Sequence, residues 1–193
     1  MARPLISLSP YRRYAFSARW CLSLTLAWSI LWPVTGYEFN SPVYAETGPA
    51  GQANNPTLKQ AKRLLDSGQA EESITTLRRF LTTSPKPELL DDTYLLLGAA
   101  LYSSKQYGDS LKYLLQLQTE FPDSEVADRG KLMQARVHAA MGNLDLALPI
   151  LTGLRNLSKD EVTKREALRL SGDFYAQKKD ATRAIQAWLD EAA

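Results

Sequence analysis

Residues 94–122 read YLLLGAALYSSKQYGDSLKYLLQLQTEFP, and this stretch decides the fold. It reads as helix, short turn, helix, and stepping 37 residues in either direction finds the same pattern. Ser73, Ser110, Ala147 and Ala184 are 37 apart, each followed by an aliphatic residue: Ile74, Leu111, Leu148 and Ile185. Small residues hold a second column at Ala61, Gly98, Ala135 and Gly172. Leu64, Leu101, His138 and Tyr175 hold a bulky third. The turn column is Gly68, Lys105, Gly142 and Lys179, and Leu77, Leu114, Leu151 and Trp188 recur on the second helix. Columns in one register over four units are the signature of a repeat architecture. Small residues in one column let two helix backbones approach, and bulky residues beside them fill the space between units. Neither helix alone buries its apolar face, so the units must stack.

Unit 2 carries Tyr94, Leu97, Gly98, Leu101, Ser110, Leu114 and Pro122. Unit 1 keeps Ala61, Leu64, Gly68, Ser73, Leu77, Phe80 and Pro85. Unit 3 keeps Ala135, Gly142, Ala147, Leu151 and Leu154, and unit 4 keeps Gly172, Tyr175, Ala184 and Trp188. This arrangement resembles the tetratricopeptide repeat (TPR) over residues 54–193. The junction Glu120-Phe121-Pro122-Asp123-Ser124, followed by Val126-Ala127, is similar to that of periplasmic TPR proteins of the CpoB and BamD type. The resemblance implies an all-α fold, a right-handed α-solenoid of antiparallel helix pairs with about four units, the last incomplete. The family's usual period is 34, so the three extra residues are expected between units.

Ahead of the repeats the composition changes. The chain has 193 residues, a formal net charge of +2, one Cys and one His. Residues 1–45 hold four Arg and one acid, three of the four Trp, and Cys21. Arg3, Arg12, Arg13 and Arg19 precede the apolar run Trp20 to Trp32, then Pro33, and Val43-Tyr44-Ala45 presents small side chains at the exit. A positive start, a short apolar run and a small-residue exit read as a secretory signal peptide cleaved after Ala45. About 13 residues of helix span roughly 20 Å, short of the ~30 Å hydrocarbon core, which disfavours a permanent anchor. Arg12-Arg13 fits general secretion better than twin-arginine export, and Cys21 precedes the apolar run instead of closing it, unlike a lipidation site. Residues 46–56, ETGPAGQANNP, read as a flexible linker, and residues 57–193 as the repeat domain.

Without the first 45 residues, 148 remain, with 19 Lys+Arg, 20 Asp+Glu and no Cys. That balance removes an electrostatic argument for nucleic acid, and the absence of Cys removes disulfides and thiolate chemistry. A single His leaves no multi-histidine metal site. No zincin, nucleophile-elbow or phosphate-loop motif occurs, so no enzyme activity, metal or cofactor is expected. His138 is expected to be packed or half-buried. Pro149, inside a helix predicted over 144–157, removes a hydrogen bond at roughly 3 kcal/mol in a regular helix. A kink or weakened turn is expected there, either packed against its neighbours or acting as a joint.

The resemblance further implies a concave groove lined by the first helix of each unit. Carried over column by column, it offers Leu58, Lys62, Leu65 and Asp66; Asp92, Leu95, Ala99 and Tyr102; Arg129, Leu132, Arg136 and Ala139; and Glu166, Arg169 and Asp173. Leu58, Leu95 and Leu132 precede Arg169 in one column, so the family's carboxylate clamp is absent. The surface left is an apolar strip edged by Lys62, Arg129 and Arg136, suited to a helix or extended peptide with apolar anchors and some acid. Alternatively these leucines contact the rest of the chain. Ile185, Trp188 and Leu189 share one face of the last helix with no capping helix after it, so the chain continues, or a partner or second copy covers that face. The expected role is an exported scaffold for protein or peptide partners in the cell envelope, with the membrane involved only through export or envelope association. The alternatives are the N-terminal TPR part of an outer-membrane or peptidoglycan assembly regulator, and a glycan- or peptide-binding accessory of an enzyme system.

Overall fold

A computed structural model describes residues 55–192. The leader, its cleavage position after Ala45 and linker residues 46–54 lie outside the described residues. The described part is built of helices: α1 (Pro56–Asp66), α2 (Ala70–Thr82), α3 (Leu90–Ser103), α4 (Tyr107–Glu120), α5 (Ala127–Ala140), α6 (Leu144–Leu157), α7 (Glu161–Gln177) and α8 (Ala181–Ala192), with a 3₁₀ turn at Pro87–Leu89. The expected all-α, TPR-like solenoid of four helix pairs is what forms. The first helices end at residues 66, 103, 140 and 177 and the second begin at 70, 107, 144 and 181, so the sequence period is the structural period.

The turn chemistry repeats atom for atom. Gly68, Lys105, Gly142 and Lys179 all have positive φ, at 79°, 60°, 81° and 61°. In the first turn the N–H of Gly68 donates to the Leu65 carbonyl at 3.0 Å and that of Gln69 to Leu64 at 2.8 Å. The same two bonds recur at Lys105 and Gln106, at Gly142 and Asn143, and at Lys179 and Asp180. This is the Schellman closure, which satisfies orphan carbonyls at a helix end and needs one left-handed residue. Glycine accepts that conformation freely and lysine does not, so units 2 and 4 hold their turns at a cost.

Helix starts also follow the sequence. The linker was expected to run to Pro56, but Pro56 already opens α1 and Asn55 caps it: its Oδ1 accepts from the N–H of Thr57 at 2.9 Å and of Leu58 at 3.2 Å. Pro56 occupies the first helical position, where its missing N–H is harmless. Asp160 caps α7 by accepting from the Val162 N–H at 3.0 Å. The extra residues of the long period fall between units at the first two junctions, which span residues 83–89 and 121–126. The third junction, 158–160, is short. There the surplus goes into α7, which has 17 residues against 14 in α5.

Within a unit the helices nearly touch. A Cβ added at Gly98 would lie 2.5 Å from Leu114 Cδ2, and one added at Gly172 would collide with the Trp188 indole at Nε1. The small-residue column therefore marks where the second helix of each pair presses on the first. Ser73 and Ser110 tie the pairs further: Ser73 Oγ donates to the Ala61 carbonyl at 2.8 Å and Ser110 Oγ to Gly98 at 2.7 Å. Alanine holds the same column in units 3 and 4. Fully buried leucines at 77, 114 and 151 each contribute about 1.5–3 kcal/mol by leaving water. The core falls into two clusters, and α5 serves both. Met133 and Val137 belong to the cluster of units 1 and 2, Leu132 and Ala135 to that of units 3 and 4.

His138 is partly buried and packs in its column as read. Pro149 does not end or divide α6, which runs as one 14-residue helix through it. Its ring is exposed, so the carbonyl deprived of a donor faces the solvent side and need not break the helix.

Candidate functional site

The first helices α1, α3, α5 and α7 pack on one another backbone to backbone across units, while the second helices do not; α2 and α4 meet through the exposed Arg78–Asp109 pair at 3.4 Å, and α6 and α8 through Arg155–Asp190 at 3.9 Å. A row in closer contact is the inner row of a curved stack, so the first helices form the inner face. The sequence placed nine binding candidates there, and the structure divides them. Leu58, Leu65 and Leu95 lie in the first core cluster and Leu132 in the second. All four are at most 5% exposed, so the apolar strip is interior packing between adjacent units, not a groove floor. Its leucines face the neighbouring helix because that is the only way a first helix buries the side its own partner leaves open.

The polar candidates form a network instead. Glu166 on α7 reaches back to Arg136 on α5, and the two side chains are ion-paired and about nine-tenths buried. Arg169 Nε donates to Glu166 Oε2 at 3.0 Å, and its Nη1 to Asp173 Oδ2 at 3.2 Å. Burial pushes the Glu166 carboxyl up, but the Arg169 and Arg136 guanidiniums outweigh it and hold the group below its ordinary value. The hydrogen bonds to Glu166 raise Arg169 above the usual guanidinium range, against the opposing effect of its burial. Both groups are thus fixed in their charged forms.

Asp92, Arg129 and Glu166 occupy one column, 37 residues apart, and all are buried. Asp92, Arg129 and Lys62 each engage a partner within the chain. Tyr102 sits beside this ladder, its ring 5.8 Å from that of Tyr107. Burial raises the Tyr102 phenol, Arg136 opposes that, and Tyr107 adds to it. Of the arginines expected to edge the groove, Arg136 is thus committed to the Glu166 carboxylate, and Arg129 engages a partner within the chain. Among the described residues, no group of three or more His, Cys, Asp or Glu side chains is placed to hold a metal ion, and no helix is long and apolar enough to cross a membrane. At the end of the stack, Ile185, Trp188 and Leu189 are exposed.

One further place escaped the sequence reading. Between α4, α5 and α6, on the side of α5 away from Arg129 and Arg136, lies a cleft of about 290 Å³. Gln118, Gln134, Gly153 and Leu157 are among its lining residues. Pro149, read from the sequence as a kink or joint, lines this cleft together with Gly153.

Residues 132–193, from within α5 to the end of α8, match the tetratricopeptide repeat family. The turns and columns of the unmatched units 1 and 2 repeat those of the matched units at the same period. No curated protein matches the chain. Repeats of this kind generally mediate protein–protein interactions and are typically non-catalytic scaffolds.

Proposed function

We propose that this chain is an exported scaffold that holds a protein partner along its inner helical face, in the cell envelope. The observation that carries the binding reading is the inner-face ladder of Tyr102, Arg136, Glu166, Arg169 and Asp173, which spans three consecutive units. Ion pairs locked inside a stack present their remaining donor and acceptor edges in fixed directions, and such preorganisation lowers the entropic cost of capturing a segment. An extended or helical stretch lying across α3, α5 and α7 fits that geometry. Export rests on the leader: four arginines, a short apolar run and a small-residue exit at Ala45.

The binding test is photo-crosslinking in cells, with a benzophenone amino acid placed in turn at Lys62, Tyr102 and Ala139, and on the outer helix α4 at Leu115. The inner positions should give discrete adducts and Leu115 none. Adducts confined to Leu115, or none anywhere, would sink the inner-face reading. Export is tested separately by N-terminal sequencing of the mature chain, which should begin at Glu46. A chain that keeps residues 1–45 and stays in the cytoplasm would overturn the envelope assignment.

A further inference from the structure

The cleft between α4, α5 and α6 contains a mismatch between what it offers and what the chain uses. Gln118 Nε2 and Gln134 Nε2 are both buried and neither finds an acceptor in the protein. Gln134 is 95% buried as a residue, so its amide is fixed in place by its surroundings. A buried donor without an acceptor is rare and calls for an explanation. The charged groups of the cleft, by contrast, are satisfied: Lys131 Nζ donates to Asp128 Oδ1 at 2.9 Å. The site thus has two surplus donors and no surplus charge.

Its walls are apolar on the α6 side. Ile150 and Leu157 line it, and Leu157 is 83% exposed, more than any other large hydrophobic residue described. The α6 sequence keeps the cleft open. A Cβ added at Gly153 would meet no atom within 4 Å, so the position has room that any side chain there would occupy. A glycine in a helix interior costs up to about 1 kcal/mol relative to alanine, and packing does not require it here, unlike Gly98.

We propose that this outer cleft is a second binding site, for a neutral extended peptide segment. Backbone carbonyl oxygens of the segment accept from the Gln118 and Gln134 amides, and one aliphatic side chain packs on Ile150 and Leu157. A carboxylate fits less well, because the one cation in the cleft is already paired. The site lies on the far side of α5 from the inner-face ladder and does not depend on it.

The test uses the full chain and N-acetyl-leucine N-methylamide, a neutral molecule with two carbonyls and one aliphatic side chain. Titration is followed by the side-chain amide resonances of Gln118 and Gln134 in ¹H–¹⁵N spectra. In the wild type these resonances should shift saturably. Gly153→Trp, which fills the cleft from its open side, should weaken the binding at least tenfold while leaving the helical circular dichroism intact. Gln134→Met supplies a second variant that removes one donor at similar volume, and it should weaken binding as well. Resonances that do not move in the wild type, or binding unaffected in both variants, would overturn the proposal. Shifts produced by acetate and not by the diamide would overturn it in favour of a carboxylate site. Shifts that follow protein concentration alone would overturn it in favour of a second copy of the chain. None of these readouts involves Tyr102 or Arg136, so failure here is distinguishable from failure of the inner-face reading.

Discussion

Replacing Gly98 by alanine tests the packing logic most directly. The new methyl would stand 2.5 Å from Leu114 Cδ2 and 2.7 Å from its Cγ, against ordinary carbon contacts of about 3.5–4.0 Å. Roughly 1 Å of overlap must be relieved, and Leu114 is fully buried with nowhere to turn. Overpacking of this kind costs about 1–3 kcal/mol. The gain from replacing a helical glycine is about 0.8–1 kcal/mol. The net expectation is a loss of about 1 kcal/mol, reaching about 2, or some 2–8 °C in Tm at about 2–4 °C per kcal/mol. Gly153→Ala is the internal control. It brings the same gain in helix propensity, with no atom within 4 Å of the new methyl, and should stabilise by about 0.5–1 kcal/mol. Urea denaturation followed at 222 nm compares the two. Shifts of both variants in the same direction would refute the argument from close approach. A third arm checks the mechanism: in Gly98→Ala/Leu114→Ala the added methyl enters the space the leucine vacates. The double variant should therefore be more stable than the sum of its parts by about 1 kcal/mol or more.

Three other outcomes follow from the same structure. Lys105→Gly relieves a left-handed lysine in a turn that Gly68 and Gly142 make freely, and should raise stability by up to about 1 kcal/mol in thermal melts. Ser110→Ala removes the buried bond to the Gly98 carbonyl but introduces the residue that units 3 and 4 already accommodate. It should cost about 1 kcal/mol, near the middle of the range for a buried hydrogen bond. Glu166→Gln strips the charge that compensates the half-buried and buried guanidiniums around it, and should cost about 1–3 kcal/mol at neutral pH. Because the folded-state pKa of Glu166 is depressed, its stabilisation is complete above the ordinary glutamate value of about 4.3. It is lost as the pH falls through the lower folded value. The gap between wild type and Glu166→Gln in denaturation midpoint should therefore narrow below about pH 4; a gap independent of pH would contradict the pairing.

The fold was legible because a repeat writes each structural requirement several times over. The left-handed turn favours glycine, and although two of four units have lysine, Gly68 and Gly142, two 37-residue periods apart, were enough to place all four turns. Ser110 against Gly98 and Ser73 against Ala61 were likewise visible as columns of small residues. The inner face was less legible. Leu58, Leu95 and Leu132 recur in register, but recurrence is equally required of a residue that contacts the next unit and of one that contacts a ligand. Only the packing of first helix on first helix separates the two. The Arg136–Glu166 pair joins different columns across 30 residues, so no single column announces it. The outer cleft lies where α4 of unit 2 meets unit 3 and owes its opening to Pro149, Gly153 and Leu157, which stand in unit 3 alone, and a search for what the units share passes over what one unit lacks.

The division of the core at α5 has a consequence for how the array comes apart. Met133 and Val137 face one cluster while Leu132 and Ala135, interleaved with them, face the other. Either half can fray from its outer end while α5 remains clamped by the half still standing. Its amide protons are therefore released only when both halves have opened, and α5 should be the slowest-exchanging helix of the chain. The array has its cooperativity concentrated in one helix, and a substitution on either side of α5 is felt on the other through the shared backbone.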